Sequence, residues 1–341
     1  MYFYIFILIL LILVINKYLI TKNFLISMTG DVHQKFTSNS KVPLTGGIFI
    51  FFAYLFFFSQ DISIFFLATF IILILGFFSD LQFIKSATTR FLLQTFLILI
   101  FVIFMDIKLN ETRVIILDQF ITNSMINYFF VTFCILILLN GSNFIDGLNT
   151  LNIGYYLLIS IILYYLTHYQ NLDLKYLPTE YLVLILTCMF FLNMKNKIYL
   201  GDSGSYLLGF SFAVFLIEIY NSNLNISPFF IILLVWYPCY ENLFSIIRKR
   251  LLKRSPMSPD TNHFHQLIFF MIKKRYKTKS FFANLAAAQI INFYHIIIFS
   301  ISVNFIRNTE IQVALILLNV FIYTIIYFKA FFFKHNKRIS R

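Results

Sequence analysis

The segment from Tyr199 to Ser205 reads Y-L-G-D-S-G-S. Two glycines and two serines around one carboxylate describe a backbone-rich turn that opens a helix. Exposed main-chain N–H groups at such a start suit phosphate oxygens. Asp202 adds the hard oxygen that Mg2+ takes alongside water and substrate phosphates. The structural reading of the same residues is a Ser/Asp helix cap. A second polar island runs from Leu139 to Gly154, L-N-G-S-N-F-I-D-G-L-N-T-L-N-I-G. Asn140, Asn143, Asp146 and Thr150 recur there at helical spacing and share one face, at one end of an otherwise apolar helix. In lipid such groups need partners, either neighbouring helices or a polar ligand such as a nucleotide. The density of amides favours the ligand.

Three further segments carry chemistry. Gly76 to Leu81, G-F-F-S-D-L, closes an apolar run on Asp80, with Arg90 and Gln94 ten and fourteen residues on; an unpaired charge at that depth is costly. Ser255 to Leu267 reads S-P-M-S-P-D-T-N-H-F-H-Q-L. His263 and His265 stand two apart, so they meet one ligand only from a loop or from the first turn of a helix. No further zinc ligand is close at suitable spacing. The cations from Arg248 to Arg254 make a pyrophosphate or sugar the better match. Asp31 to Gly47 is polar, turns at Pro43 and reaches Gly46-Gly47, a pair that permits close helix packing; Lys41 is a candidate phosphate contact.

The elements that must position these residues are membrane helices. Of 341 residues, 60% are hydrophobic and 12% charged, and mean hydropathy is +0.83. A water-soluble domain of this size cannot bury that much apolar surface. Cys134, Cys188 and Cys239 lie in apolar stretches and read as buried small hydrophobes, not as a disulfide or zinc set. At roughly 20 apolar residues per crossing, eleven spans are expected: 2–20, 46–59, 62–79, 91–106, 127–142, 153–169, 180–194, 204–221, 228–247, 281–304 and 311–332. Residues 1–20 read as a retained first span, not a signal peptide.

Net charge is +13. Of the 27 Lys and Arg, 21 fall on one side of these spans and four (Lys108, Arg113, Lys175 and Arg307) on the other. The positive-inside rule puts the rich side in the cytoplasm, the N-terminus outside and the C-terminus inside. Asp31, Asp80, Asp146, Asp202 and Asp260 fall on that inner face, in loops 21–45, 80–90, 143–152, 195–203 and 248–280 and at their edges. The excess charge attracts anionic headgroups and diphosphates, and no basic-aromatic soluble domain points to nucleic acid. The outer loop 107–126 alternates apolar residues around Arg113 to Asp118, the pattern of a small hairpin. With no repeat and no low-complexity linker, one membrane domain is the economical organisation.

Taken in order, N-G-S-N-F-I-D-G-L, G-D-S-G-S and P-D-x-x-H-x-H resemble the motifs of the polyprenyl-phosphate N-acetylhexosamine-1-phosphate transferases, across roughly Asp31 to Leu267. The resemblance implies an all-α bacterial inner-membrane enzyme with a cytoplasmic site. Such an enzyme transfers a sugar 1-phosphate from a UDP-sugar to polyprenyl phosphate, uses Mg2+ and releases UMP, starting a cell-envelope glycan; a homodimer is an allowed assembly. By the same resemblance Asp202 is the Mg2+ ligand, and Asp80 and Asp146 are the catalytic acids. Asp80 lies near the metal and the attacking lipid phosphate. Asn143 and Asp146 face the nucleotide, and His263 and His265 the sugar diphosphate. Four positions depart from the family pattern: Ser79 replaces the first acid of an Asp-Asp pair, Asn149 a second acid, Gln266 a third histidine and Ser38 an early histidine. Those losses leave a catalytically lapsed scaffold as one alternative. A polar-solute transporter is another, for which Glu218 and Glu241 are the acids within spans.

Overall fold

The computed structural model describes residues 2–27, 41–57, 63–170, 172, 178–253, 255 and 260–335. Among them the chain forms fourteen helices and no strand beyond an isolated bridge between Ile26 and Pro43. In chain order these are α1 (Tyr2–Lys22), α2 (Gly46–Phe57), α3 (Ser63–Asp80), α4 (Ala87–Phe104), α5 (Ile115–Ile121), α6 (Ser124–Ile145) and α7 (Leu151–Tyr169). There follow α8 (Thr179–Met194), α9 (Gly201–Ser222), α10 (Pro228–Leu234), α11 (Trp236–Leu251), α12 (Phe264–Tyr276), α13 (Ser280–Val303) and α14 (Thr309–His335). Seven of them, α1, α4, α6, α7, α9, α13 and α14, are long and apolar enough to cross a membrane. The pair α10 and α11 forms one further candidate, bent by 74° between Leu234 and Trp236. The apolar helices α2, α3 and α8 are shorter. A helix satisfies its backbone groups internally, which is why an apolar chain in lipid takes this form.

One helix organises the rest. The apolar window of α9 is 94% buried, against 22% for α1 and α4 and 28% for α14, so α9 is the central pillar and those three are peripheral. It packs most extensively on α6 and α3. The approach is close because the chain is small where the helices meet. A Cβ at Gly76 of α3 would come 2.3 Å from the Ser203 Cα, and one at Gly47 of α2 would come 2.7 Å from the Gly204 backbone nitrogen. Thus the Gly46-Gly47 pair serves the close packing its sequence suggests. Backbone bonds from Gly46 N to the Tyr199 carbonyl and from Tyr199 N to the Pro43 carbonyl, both 2.9 Å, tie the start of α2 to the approach to α9.

Two sequence expectations are corrected. The stretch expected as a hairpin contains α5 instead. A seven-residue helix is too short for alternation to be told from helical periodicity, and Asp118 accepts from the Thr112 backbone N–H (2.6 Å) and hydroxyl (2.7 Å), fixing the chain just before the helix. The polar face expected from Asn140 to Thr150 does not stay on one helix. It ends at Asp146, which caps α6, while Thr150 sits in a left-handed conformation (φ 65°) at the start of α7. Asp31 and Ser38 lie outside the described residues.

Candidate functional site

Asp202 stands at the first turn of α9, about one quarter exposed, and collects polar groups from three other helices. The Asn143 amide of α6 donates to its Oδ1 at 2.6 Å. Its Oδ2 accepts from the Ser79 hydroxyl of α3 at 2.5 Å and from the Arg90 guanidinium of α4 at 2.7 Å. Arg90 also donates to the Ser79 hydroxyl at 2.7 Å. Residues spread over more than 120 positions of sequence therefore meet at one corner, formed by the end of α3, the start of α4, the end of α6 and the start of α9.

Asp80 belongs to the same corner and is engaged by the backbone of α9. Its carboxylate accepts from the backbone N–H of Asp202 at 2.8 Å and of Ser203 at 3.1 Å. The first amides of α9, expected to be free for phosphate, are thus held by a side chain from α3. Gly201 makes this possible. It sits at φ +69°, and a Cβ there would come 2.7 Å from the Asp80 Oδ2. Arg90, ten residues beyond Asp80, pairs with Asp202 instead.

The C-terminal turn of α6 joins this corner to the histidine segment. Asp146 lies beside Ser205 and Asn152. Burial pushes its carboxyl well above the usual carboxylate range; the Asp202 and Asp80 charges add to that, against the hydrogen bonds from Ser205 and Asn152. The Phe144 ring lies 5.2 Å from the His263 ring and 5.8 Å from the Lys249 ammonium. A Cβ at Gly147 would meet the His265 Nε2 at 2.4 Å. His263 caps α12 and His265 follows within its first turn, the arrangement needed for both rings to face one ligand. Their centroids are 5.8 Å apart with the planes 14° from parallel. His265 is fully buried, and neither ring nitrogen has a hydrogen-bond partner among the described residues. Burial, with His263 beside it, lowers its pKa to about 3, so it is neutral near pH 7.

Two of the departures from the motif pattern, Gln266 and Asn149, have local structural partners. Gln266 secures the start of α12, its side-chain oxygen accepting from the His263 backbone N–H at 3.4 Å. Asn149 is 5% exposed and donates to the Asn193 carbonyl at 3.3 Å and the Asn196 side chain at 2.5 Å, away from Asp202. Asp260 is tied to Arg248. Burial alone would raise the Asp260 carboxyl, but the Arg248 hydrogen bond and charge outweigh it and hold it below the usual range. Lys41 donates to Asn23 at 2.5 Å. Sequence reasoning missed the partners of the histidine segment. Glu241 of α11 accepts from the His263 Nδ1 at 2.9 Å, and the Tyr323 hydroxyl of α14 donates to Glu241 at 2.6 Å. The available signal was a carboxylate inside an apolar run, which must have a partner.

Among the described residues no three His, Cys, Asp or Glu side chains converge as a metal cage. The corner offers one partly exposed carboxylate, Asp202, with a hydroxyl and an amide beside it. That donor set fits Mg2+ in its ordinary habit, held by one or two carboxylates and otherwise by water and phosphate oxygens.

Residues 62–220 match the model of glycosyl transferase family 4. The chain is similar to an undecaprenyl-phosphate alpha-N-acetylglucosaminyl 1-phosphate transferase of Thermotoga maritima, 33% identical over 78 residues, which cover 23% of this chain and 25% of that protein. It is similar to a probable undecaprenyl-phosphate N-acetylglucosaminyl 1-phosphate transferase of Bacillus subtilis, 29% identical over 187 residues, 54% of this chain and 49% of the relative. A decaprenyl-phosphate N-acetylglucosaminephosphotransferase of Mycolicibacterium smegmatis is 28% identical over 149 residues, 38% of this chain and 37% of its own. The matches span between a quarter and a half of the length of these relatives.

Proposed function

We propose that this chain, which over residues 62–220 matches the model of glycosyl transferase family 4, transfers an N-acetylhexosamine 1-phosphate from a UDP-sugar to polyprenyl phosphate at a cytoplasmic-facing site of a bacterial inner membrane. The supporting observation is the convergence of Ser79, Asp80, Arg90, Asn143 and Asp202 at one end of their helices. Two anions must be brought together there, so neutralising and orienting charge is the main catalytic task. In this reading the bundle crosses the membrane eleven times as one domain, counting the bent pair α10–α11 and the shorter α2, α3 and α8, with the motif loops inside.

An acceptor phosphate oxygen attacks the phosphorus that bears the sugar. The bond from that phosphorus to the bridging oxygen breaks, and UMP leaves with the electron pair. Mg2+ bound at Asp202 would supply charge stabilisation to the diphosphate. Arg90 is the cation at hand for phosphate oxygens once its pairing with Asp202 is exchanged. Asn143 holds the Asp202 carboxylate in orientation. Asp80, with each oxygen held by a backbone N–H group, positions the turn of α9, an arrangement that favours a one-step transfer over attack by its carboxylate. A polyprenyl phosphate is already anionic and needs no strong base.

Incubating the purified membrane protein with UDP-[14C]GlcNAc, Mg2+ and polyprenyl phosphate tests this reading directly. Radiolabel in the lipid extract, with one UMP per sugar, is the expected result. Absence of label across a panel of UDP-sugars would leave the lapsed scaffold, and movement of a solute across sealed vesicles would favour the transporter. The trapping of phosphorylated Asp80 in the absence of lipid would overturn the one-step route.

A further inference from the structure

Glu241 is a carboxylate on the buried face of the amphipathic helix α11, 1% exposed. A charge taken out of water at that depth persists only when it is thoroughly partnered. Its Oε1 takes the His263 Nδ1 at 2.9 Å and the Phe264 backbone N–H at 3.3 Å; its Oε2 takes the same N–H at 3.4 Å and the Tyr323 hydroxyl at 2.6 Å. Three elements are thereby joined: α11, the start of the next helix α12, and α14, whose Tyr323 lies 82 residues beyond Glu241. Aromatic packing holds the joint in place. Tyr323 stacks on Phe264 with centroids 4.6 Å apart and meets Tyr240 edge-on at 4.9 Å.

A ring held this way has two distinct nitrogens. The hydrogen bond at Nδ1 puts the proton there and fixes the plane of the ring, leaving Nε2 for whatever binds next. A carboxylate holds Nδ1–H more strongly than a neutral acceptor does. His263 is also the ring that touches Phe144, the neighbour of Asn143. From these contacts we infer that Glu241 is a positioning residue for the transfer reaction: with Tyr323 behind it, it locks His263 in the orientation that presents Nε2 to the diphosphate of the nucleotide-sugar. The inference rests on the proposed function for the identity of the ligand, and on geometry alone for the lock.

The test uses the full-length protein in detergent or nanodiscs. Histidine-labelled 15N spectra read the lock without any turnover: His263 carries its proton on Nδ1 in the wild type, and its ring-nitrogen shifts move in Glu241→Gln. An Nε2-protonated His263 in the wild type overturns the inference. In the transfer assay Glu241→Gln lowers kcat/KM for the UDP-sugar by about 10–100-fold, the usual cost of losing a carboxylate behind a functional histidine, and leaves KM for polyprenyl phosphate unchanged. Adding Glu241→Gln to His263→Ala then changes activity by less than about twofold, because Glu241 acts through that ring. Multiplying effects in the double variant overturn the inference and make Glu241 merely structural. Tyr323→Phe keeps the His263 contact and guards against a folding failure; it loses less than Glu241→Gln does, and a loss equal to or greater than that of Glu241→Gln overturns the lock. If the wild type transfers no sugar phosphate, the proposed function and the diphosphate assignment fail together, while the nitrogen spectra still decide the lock.

Discussion

At the Asp202 corner, a partly exposed carboxylate is paired with a partly exposed guanidinium, side chains 25% and 27% accessible. At the His263 corner, a carboxylate 1% exposed is enclosed by a histidine, a tyrosine and a backbone amide. Both are acids bound to nitrogen donors, yet they do different jobs. An ion pair open to water contributes little to stability, so a ligand can exchange its partners at small cost. A buried carboxylate that loses a partner leaves a charge stranded, at about 3–5 kcal/mol. On the proposed function the first corner is therefore the surface on which ions are exchanged, and the second is a fixed mount. Asp80 belongs with the mount although it sits beside the exchange surface, since both its oxygens are taken by backbone groups.

The comparison is broken most directly at Asp202. Asp202→Asn keeps the size of the side chain and removes the charge that answers Arg90. Transfer should fall by on the order of 10²–10³ in kcat, the scale of removing one preorganised electrostatic group, with the protein still folded in the membrane. Turnover measured against Mg2+ concentration checks it. Wild-type-like rates at limiting Mg2+ would remove Asp202 from the exchange surface.

Asn149→Asp tests the mount away from the site. The amide of Asn149 donates to the Asn193 carbonyl and the Asn196 side chain, and a carboxylate cannot. Restoring the acid of the family pattern should destabilise the protein by about 1–3 kcal/mol, the cost of an unsatisfied buried group, read as a lower unfolding temperature in detergent. An unchanged unfolding temperature with higher activity would mean that this position serves the ligand after all.

Ser79→Asp sharpens the contrast from the other side. The Ser79 hydroxyl donates to Asp202 and accepts from Arg90. A carboxylate there would face Asp202 with one guanidinium to serve both. Two bare charges 4 Å apart feel about 4 kcal/mol at an effective dielectric of 20, and Arg90 screens most of it. Activity should drop about tenfold and its Mg2+ dependence steepen. Activity at or above wild type across the Mg2+ range would show that the corner still accommodates the acid pair of the family pattern.

How much of this was legible in the sequence follows the same division. G-D-S-G-S, S-D and N-F-I-D-G are short runs in which candidate site residues announce themselves by being polar within an apolar chain, and the structure brings Asp80, Asn143 and Asp202 into direct contact. Helical content was legible from composition alone. The partners were not. Arg90 reaches Asp202 across 112 residues and Tyr323 reaches Glu241 across 82, distances at which no periodicity or motif speaks. The extent of the polar face was misjudged for a local reason. Thr150 is spaced like the residues before it, but the helix has ended at Ile145 and the chain has turned through a left-handed residue. The α9 amides were misjudged for a tertiary reason, because only the folded chain delivers Asp80 to them.

Asn143→Ala should give the smallest effect. Its amide donates to the Asp202 Oδ1 at 2.6 Å, while Arg90 pairs with the other oxygen, Oδ2. Removing it deletes one hydrogen bond at a position water can reach, so the loss is about 1 kcal/mol, roughly fivefold. The loss should appear as a higher KM for the UDP-sugar, since the freed carboxylate no longer presents a fixed oxygen to the ligand. KM for polyprenyl phosphate should stay unchanged, because in the proposed function Asn143 faces the nucleotide-sugar and not the acceptor. Initial rates with each substrate varied in turn separate the two constants. A raised KM for the lipid alone would transfer the end of α6 from the nucleotide-sugar to the acceptor, and the exchange surface would then have to be redrawn around Asn143 instead of Arg90.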